Sequence, residues 1–324
     1  MKEQVFNIQS EEDFKQISLE VFKHQFKNNK VYRSFCDLLY VHPSDVKTIE
    51  QIPFLPIQFF KTREVLSSTE NVLETFTSSG TTGSVTSKHF ITDLSWYEES
   101  YLKGFKHFYG NIEDYVVLAL LPNYLERKGS SLVFMVDDLI IKSKNTESGF
   151  FLNNEEELAE KLQKLDKKGQ KVLLIGVSFA LLDLIEKYKF NLKNTIIMET
   201  GGMKGRRKEL VRSELHQLLS KGFGVDKIHS EYGMTELLSQ GYSKGNGVFN
   251  SPPWMKILTR DTEDALTINS SGKSGGINVI DLANYNSCSF IATQDLGKVH
   301  QNGNFEIIGR FDNSDIRGCN LMVL

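Results

Sequence analysis

The sequence predicts an α/β protein in which a mainly parallel sheet is flanked by helices and a smaller β-rich subdomain follows. Segments of strand and helix character alternate over about 150 residues, as they do in parallel sheets covered by helices on both faces. Two Gly-rich stretches, 77–83 and 200–205, lie beside predicted strands, where such sheets bind their ligands. From about Val248 onward, short β-like pieces separated by turns at 269–272 and 302–304 predict antiparallel strands.

Composition excludes several classes of protein. The chain has 324 residues, of which 40% are hydrophobic and 24% charged, as in an ordinary globular protein. Its 38 basic and 41 acidic residues give a net charge of −3, so no basic excess points to nucleic acid. No secretory signal and no run of roughly 20 apolar residues is present, and three cysteines form no disulfide framework or paired metal motif. We therefore expect a cytoplasmic protein without a nucleic-acid partner or membrane insertion.

The first 75 residues are predicted to form a helical part. Ser10, followed by two glutamates, favours a helix start, and apolar residues then recur at helical spacing from Phe14. Pro53 and Pro56 predict that 52–57 runs extended across the body. Lys61, just beyond this segment, is expected to be a solvated surface lysine.

Strands and helices alternate through the middle of the chain. Strands are predicted at 88–92, 115–121, 171–176, 195–199 and 227–231. Helices are predicted after Asp93 or Ser95, from Ser130, and at 155–168, 178–188 and 206–221. In the last helix, four leucines are expected to face inward: Leu210, Leu215, Leu218 and Leu219.

A hydroxyl-rich loop is the strongest local signal for function. It consists of Thr77, Ser78, Ser79, Gly80, Thr81, Thr82 and Gly83. Glycines let the backbone approach a ligand closely, and the hydroxyls and N–H groups can surround phosphate oxygens. No Gly-Lys-Ser/Thr follows at the spacing of a Walker A loop. The loop predicts nucleotide binding, with a flexible linker as the alternative for this stretch alone.

Three further stretches carry candidate ligand-binding residues. At the end of the strand-like segment 227–231, Tyr232 can offer its ring to a purine, Thr235 a hydroxyl to a phosphate and Glu236 an oxygen to Mg²⁺. Asp295, predicted to be exposed by a turn, is suited to accept from ribose hydroxyls. Arg310 has a planar fork for ribose or phosphate oxygens. Each stretch alone also fits a strand-end turn, a surface acid or a surface arginine.

Taken together and in this order, these stretches resemble the acyl-adenylate-forming superfamily of acyl-CoA synthetases, adenylation domains and luciferases. The hydroxyl-rich loop is similar to its phosphate-binding motif, and the segment Tyr232-Gly233-Met234-Thr235-Glu236 to its aromatic-Gly-x-Thr-Glu motif. The resemblance also implies an acyl and adenine contact at Thr200-Gly201-Gly202, a ribose-binding pair at Asp295 and Arg310, and a hinge at Asp312. It implies the N-terminal-domain fold of that superfamily over the catalytic core.

The end of the sequence departs from the superfamily pattern. Most members continue after the hinge into a large C-terminal domain that carries a catalytic lysine, whereas this sequence ends shortly after Asp312. We expect that domain and its lysine to be absent. Another cation would then assist adenylation, and the candidates are Lys88, Lys204, Arg206 and Arg207.

This layout is similar to the acyl-protein synthetases of bacterial luminescence, which activate a fatty acid with ATP. The resembling segments are 52–57, 121–127, 198–204 and 316–319. The resemblance implies that Cys319 holds the acyl group as a thioester before transfer to a reductase partner. Cys319 lies nine positions after Arg310, so an extended tail reaches roughly 30 Å. A small buried hydrophobe is the alternative role for Cys319, and core positions are expected for Cys36 and Cys288.

Three functions remain open from the sequence. The first is an ATP- and Mg²⁺-dependent acyl-protein synthetase. It acts on a carboxylic acid, which we expect to be a fatty acid, and passes the acyl group to Cys319, a carrier protein or a reductase. The second is a short-form acyl-CoA or aryl-CoA ligase that uses coenzyme A, and the third is a non-catalytic nucleotide-binding protein. Three aromatics, Phe179, Tyr124 and Tyr242, fit an acyl pocket or ordinary core equally well. The expected boundaries are 1–75 (helical), 76–247 (α/β) and 248–312 (β-rich), followed by a tail at 313–324.

Overall fold

The fold is described from a computed structural model, which describes residues 1–78, 85–122, 129–152, 154–201, 207 and 210–311. The helices of this part are α1 Lys2–Val5, α2 Glu11–Asn28, α3 Lys30–Leu38, α4 Phe59–Thr62, α5 Leu94–Tyr109, α6 Ser131–Lys142, α7 Glu155–Lys167, α8 Ser178–Lys187 and α9 Arg212–Phe223. Its strands are β1 Leu55–Pro56, β2 Glu74–Thr77, β3 Lys88–Ile91, β4 Val116–Leu120, β5 Gly149–Phe150, β6 Val172–Val177, β7 Thr195–Thr200, β8 His229–Tyr232, β9 Gly241–Ser243, β10 Val248–Asn250, β11 Met255–Arg260, β12 Ser274–Asp281, β13 Phe290–Val299 and β14 Phe305–Arg310.

One large sheet runs through the molecule. Its strand order is β11-β12-β13-β14-β10-β9-β8-β7-β6-β4-β5, and β1 pairs in parallel with β13. The half from β8 to β5 is parallel, while β9 to β14 pair antiparallel. The predicted α/β class and the antiparallel β-rich part are therefore confirmed, and the β-rich strands continue the same sheet. The boundaries at residues 75, 247 and 312 stay predictions.

The central strands are buried on both faces, as their apolar runs predict. Every residue of β4 and of β6 is buried, because helices cover both sides of this part of the sheet. The serine that precedes α6 caps it, since the Ser130 hydroxyl accepts from the N–H of Val133 at 3.3 Å. Asp93, rather than Ser95, caps α5 and accepts from the N–H of Ser95 at 3.0 Å.

The N-terminal helices pack against the antiparallel half of the sheet. The Ser10 hydroxyl accepts from the N–H of Asp13 at 3.1 Å and so starts α2, as predicted. The rings of Phe22 and Tyr32 contact the ring of Phe290 on β13 at 6.2 and 6.0 Å between centroids. The extended course of 52–57 is confirmed, since Leu55 pairs with Ile291 on β13.

Two details of the predicted elements differ. Helix α9 begins at Arg212 rather than near residue 206, and Leu218 is 44% exposed rather than inward. Leu215, Leu219 and Phe223 follow at a spacing of four and form the buried face of the helix, and Leu218 is rotated about 100° from Leu219. Cys36 and Cys288 are buried core residues, as expected, and burial raises the pKa of the Cys36 thiol to about 12. No helix of the described part is long and apolar enough to cross a membrane.

Candidate active site

Two of the predicted motifs meet at the carboxyl ends of neighbouring parallel strands. Gly201 directly follows β7, and Tyr232 is the last residue of β8. The two strands pair with Thr200 opposite Glu231, so both motifs leave the sheet at the same edge. Parallel α/β sheets bind ligands at this edge. The structure thus brings Gly201 together with the segment 232–236.

A third and a fourth motif join this edge from the antiparallel half. The Tyr232 hydroxyl donates to Oδ2 of Asp295 at 2.8 Å. Asp295 on β13 lies directly opposite Arg310 on β14, and 4.0 Å separates Oδ1 of Asp295 from Nε of Arg310. Three residues that are far apart in sequence therefore form one cluster, and ribose binding by Asp295 and Arg310 stays a prediction.

The turn predicted at Asp295 is wrong. Asp295 lies within the ten-residue strand β13, next to an irregularity in pairing register between Leu296 and Gly297. Its side chain is only 19% exposed, whereas that of Arg310 is 71% exposed. Burial raises the pKa of Asp295, and the hydrogen bond from Tyr232 and the charge of Arg310 partly offset this. The carboxylate is held in place, while the guanidinium extends into solvent.

The Tyr232 ring is part of an aromatic cluster. It is buried and packs edge-on against Phe249 and Phe305, with centroids 6.1 and 5.7 Å apart. This packing fixes the ring plane, and the hydroxyl is fixed by Asp295. Stacking of a purine on Tyr232 stays a prediction.

The carboxylate of Glu236 is buried, and the Ser87 side chain is hydrogen-bonded to it. Burial raises the pKa of Glu236, while a hydrogen bond from Ser87 and the charges of Arg310 and Lys61 lower it. The Glu236 carbonyl also accepts from Nδ2 of Asn284 at 2.8 Å. Lys61 is exposed, as expected, and its charge reaches Glu236.

Glu236 fits a Mg²⁺ ion that is completed by phosphate oxygens. Mg²⁺ is commonly held by one or two carboxylates together with substrate phosphates and water. Within the described ranges, no group of three His, Cys, Asp or Glu side chains is placed to hold a metal ion by itself. A single carboxylate close to the predicted phosphate-binding loop therefore suits a Mg²⁺ ion held mainly by substrate phosphates and water.

Two polar residues that the motif analysis missed contact residues 235 and 236. Ser87 directly precedes β3, and His89 lies within it. Ser87 bonds the Glu236 side chain, and Nδ1 of His89 lies 2.9 Å from the Thr235 carbonyl. Ser87 also closes the base of the hydroxyl-rich loop, because its N–H donates to the Ser78 hydroxyl at 2.9 Å and its carbonyl accepts from the Ser78 N–H at 3.1 Å. The sequence offered one signal for this pair: residues 87 and 89 are two positions apart, so in a strand their side chains lie on the same face.

Several predicted residues lie outside the described residues. They are Ser79, Gly80, Thr81, Thr82 and Gly83 of the hydroxyl-rich loop, and Tyr124, Gly202, Lys204, Arg206, Asp312 and Cys319. The loop joins β2 to β3, and Thr77 at the end of β2 donates its N–H to the Gly129 carbonyl at 2.8 Å. The roles proposed for these residues stay predictions.

Other candidates lie away from the strand edge or within the core. Arg207 binds Asp183 and Glu186 of α8, which directs its guanidinium to that helix rather than to the site. Lys88 is exposed on β3. Phe179 is buried, and Tyr242 is buried against Phe108, so both belong to the core.

Two carboxyls lie at these strand ends, that of the buried Glu199 and that of the partly buried Glu231. The Thr200 hydroxyl donates to Glu231, and Glu199 accepts from the Ser178 hydroxyl at 3.2 Å and lies 3.5 Å from Nε2 of His216. Burial raises the pKa of Glu231 to about 7, the Thr200 hydrogen bond lowers it, and the nearby Glu199 charge raises it further. Glu231 therefore titrates near neutral pH in the folded protein.

We expect Glu231 to make the protein less stable as pH rises. Its folded pKa of about 7 lies above the usual glutamate value, so the folded state binds more protons between these values. The free energy of unfolding should fall by about 1–3 kcal/mol as pH rises from 5 to 8. Urea titrations should show this loss in the wild type and a smaller one in Glu231→Gln. The exposed Glu70→Gln should match the wild type, and an equal pH slope in all three proteins would contradict the prediction.

The fold matches adenylate-forming ligases of known structure. A 2-hydroxyisobutyryl-CoA ligase in its postadenylation state, in complex with R3-HIB-AMP, gives a TM-score of 0.68 at 12% identity, over 93% of this chain and 68% of that chain. ATP-bound MatB from Rhodopseudomonas palustris gives a TM-score of 0.57 at 17% identity, over 75% of this chain. The alignment covers 49% of MatB, so this chain spans about half the length of that protein.

Curated relatives extend over almost the whole chain. The long-chain-fatty-acid–luciferin-component ligase of Aliivibrio fischeri is 25% identical over 93% of this chain and 85% of its own length. The enzyme of the same name from Vibrio harveyi is 23% identical, over 93% of this chain and 84% of its own length. The family model described as acyl-protein synthetase, LuxE, matches residues 5–324. The chain belongs to this family of acyl-protein synthetases.

Proposed function

We propose that this protein activates a long-chain fatty acid with ATP to an acyl-adenylate and then transfers the acyl group to a protein thiol. The observation that carries the proposal is the cluster of Tyr232, Asp295 and Arg310 beside Glu236, in a chain of the acyl-protein synthetase family. The curated relatives are named as ligases of long-chain fatty acids. A substrate of that class would enter at the shared edge of β7 and β8.

The ribose of ATP is assigned to Asp295 and Arg310. Asp295 accepts hydrogen bonds from ribose hydroxyls through a carboxylate that the Tyr232 hydroxyl already orients. Arg310, whose side chain is mostly exposed, closes on ribose or phosphate oxygens with its planar fork. Pre-oriented groups contribute to the rate because little ordering remains to be done when the substrates bind.

The phosphates are assigned to the hydroxyl-rich loop, and the metal to Glu236. Backbone N–H groups of 77–83 would neutralise phosphate charge, and the base of this loop is closed by Ser78 and Ser87. Glu236 would hold Mg²⁺, which supplies charge stabilisation for departing pyrophosphate. Ser87, at the base of this loop, would orient the Glu236 carboxylate through its side-chain hydrogen bond.

Two displacements complete the reaction. A carboxylate oxygen of the acid attacks the α-phosphorus of ATP, and the bond from that phosphorus to pyrophosphate breaks. The thiolate then attacks the acyl carbon of the mixed anhydride, AMP leaves, and a thioester forms. Cys319 is the proposed thiol, and the neighbouring Arg317 favours its ionised form.

The family match favours a protein acceptor over the alternatives. A short-form acyl-CoA ligase would pass the acyl group to coenzyme A and would not need Cys319. A nucleotide-binding protein without catalysis would release no pyrophosphate. The family description and the names of both curated relatives speak for acyl transfer to a protein, with an acyl-accepting reductase or carrier as the proposed partner.

We expect the intact mass of the protein to increase by one acyl group after incubation with ATP, Mg²⁺ and a long-chain fatty acid. Hydroxylamine should remove this gain, because it cleaves thioesters. Cys319→Ser should show no gain while still releasing pyrophosphate, whereas Cys288→Ala should still be acylated, since its thiol is buried in the core. Unchanged mass, with AMP released only when coenzyme A is present, would favour the ligase instead.

A further inference from the structure

His89 is a buried histidine that joins three separate parts of the chain. It lies on β3, and its ring packs edge-on against Phe60 with centroids 5.6 Å apart. Its Nδ1 atom is 2.9 Å from the Thr235 carbonyl oxygen, and its Nε2 atom is 2.8 Å from the Ser287 hydroxyl. The ring therefore ties β3 both to the Thr235-Glu236 pair and to the turn between β12 and β13.

The hydrogen-bond partners determine which ring nitrogen carries the proton. A carbonyl oxygen only accepts, so Nδ1 must donate to Thr235. Nε2 is then the acceptor, and the Ser287 hydroxyl donates to it. Burial lowers the pKa of His89 to about 4, so the ring is neutral and keeps this tautomer at neutral pH.

Ser87 and His89 contact consecutive residues of the catalytic motif. They lie two positions apart, which places both side chains on one face of the extended chain. Ser87 bonds the Glu236 side chain, and His89 bonds the Thr235 carbonyl. Ser87 also pairs with Ser78 at the base of the hydroxyl-rich loop. The segment 87–89 thus connects the predicted phosphate-binding loop directly to the predicted metal-binding carboxylate.

We propose that His89 is a positioning residue which, through its Nδ1–H bond to the Thr235 carbonyl, holds the Thr235-Glu236 pair against β3 and against the base of the hydroxyl-rich loop at Ser78 and Ser87. This inference rests on the proposed function, because it assigns phosphate and Mg²⁺ binding to these two elements. Adenylation needs the metal and the phosphate-binding groups in register, and small displacements of such groups are costly to the rate.

Two substitutions separate the two hydrogen bonds of the ring. Asparagine in His89→Asn places an amide N–H near the Nδ1 position and can still donate to Thr235. Glutamine in His89→Gln reaches the Nε2 position instead, so it retains the Ser287 contact and loses the Thr235 bond. Ser287→Ala removes the Nε2 partner together with a long contact of the Ser287 hydroxyl to the Asn284 carbonyl at 3.5 Å, and it leaves the Nδ1 bond to Thr235 intact. Ser100→Ala is a control, because the buried Ser100 hydroxyl bonds Ser239 and Trp254 in the core.

The expected result is a split between the two His89 variants in ATP–pyrophosphate exchange. His89→Gln should lower kcat and raise the half-saturating Mg²⁺ concentration by about 10- to 100-fold, as loss of groups that orient metal ligands does. Its KM for the acid should change little. His89→Asn and Ser287→Ala should stay within about threefold of the wild type. Ser100→Ala should lose thermal stability without a change in Mg²⁺ dependence.

A readout without catalysis tests the same contact. In ¹⁵N spectra, the His89 ring should show a protonated Nδ1 and an unprotonated Nε2, and the amide signals of 234–236 should move in His89→Gln and stay in place in His89→Asn. A protonated Nε2, or equal behaviour of the two variants in both measurements, would overturn the proposal. Absence of exchange in the wild type would instead reject the proposed function, and the spectra would still decide the role of His89.

Discussion

Replacing Glu236 with glutamine is expected to lower ATP–pyrophosphate exchange by about 100- to 1,000-fold, the cost of losing one preorganised electrostatic contact in an active site. The glutamine keeps the size of the side chain and an oxygen that can still accept from Ser87. It removes the negative charge that would attract Mg²⁺. Because burial already raises the pKa of Glu236, the neutral amide should not destabilise the fold, and the free energy of unfolding should change by less than about 1 kcal/mol.

The measurement is exchange rate against Mg²⁺ concentration, with Glu199→Gln as a matched control. Glu199 is equally buried at the end of the neighbouring strand, but its partners are Ser178 and His216. Its amide variant should retain most of the exchange activity. Full activity in Glu236→Gln would reject the metal-binding role. Equal losses in both variants would show that negative charge at the strand ends matters in general. They would then give no support to a metal site at Glu236.

The sequence predicts those features that depend on local order. An uninterrupted apolar run at 115–121 has to be buried on both faces, and β4 is. Ser10 and Ser130 cap helices because a hydroxyl at that position can accept from an N–H one turn later. The segment 232–236 was recognisable because its residues are contiguous, and contiguity does not depend on the rest of the fold.

Features that depend on distant pairing could not be predicted in the same way. Asp295 appeared to lie in a turn because Gly297 follows it, but pairing with β14 keeps it in a strand and places Arg310 opposite. The contact of Tyr232 with Asp295 joins residues on β8 and β13. Both contacts depend on the antiparallel strands belonging to the same sheet as the parallel ones. No local sequence pattern encodes the order of the strands in that sheet.

His89 and Ser87 show why site residues escape motif analysis. A histidine and a serine in a short strand are common, and neither belongs to a motif with a defined spacing. Their role follows from the place where β3 lies relative to residues 235 and 236. Helix α9 is a smaller example. Its apolar sequence pattern predicted that Leu215 and Leu219 are buried, but it did not predict the residue at which the helix begins.

Replacing Asp281 with alanine is expected to destabilise the protein by about 3–5 kcal/mol, the range for breaking a buried, fully bonded charged network. Asp281 is fully buried at the end of β12, and its carboxylate accepts from the N–H groups of Leu238, Ser239 and Ala283 at 2.9, 2.9 and 3.1 Å. It also accepts from the Ser239 hydroxyl at 2.6 Å. Alanine leaves the N–H groups of Ser239 and Ala283 without an acceptor in the interior, where each unpaired donor is costly, while the N–H of Leu238 keeps Oδ1 of Asn284 at 3.1 Å.

Asp261→Ala provides the matched control for this prediction. Asp261 also accepts from two backbone N–H groups, those of Glu263 and Asp264, at 2.9 and 3.3 Å. Its side chain is partly exposed to solvent, so water can replace the lost acceptor, and the expected loss of stability is much smaller than in Asp281→Ala. Urea unfolding at pH 8 keeps both carboxylates ionised in the wild type, since burial raises the pKa of Asp281 only to about 6 and the hydrogen bond from the Glu263 N–H lowers the pKa of Asp261.

The same pair of variants connects stability to the site. Leu238 and Ser239 follow Glu236 by two and three residues, so the Asp281 carboxylate also fixes the chain just beyond the proposed catalytic segment 232–236. Asp281→Ala should therefore lose exchange activity even at temperatures where it remains folded, whereas Asp261→Ala should not. Equal free energies of unfolding for the two variants would mean that water or a rearranged backbone satisfies the unpaired donors, and that the segment after Glu236 is held by its other contacts.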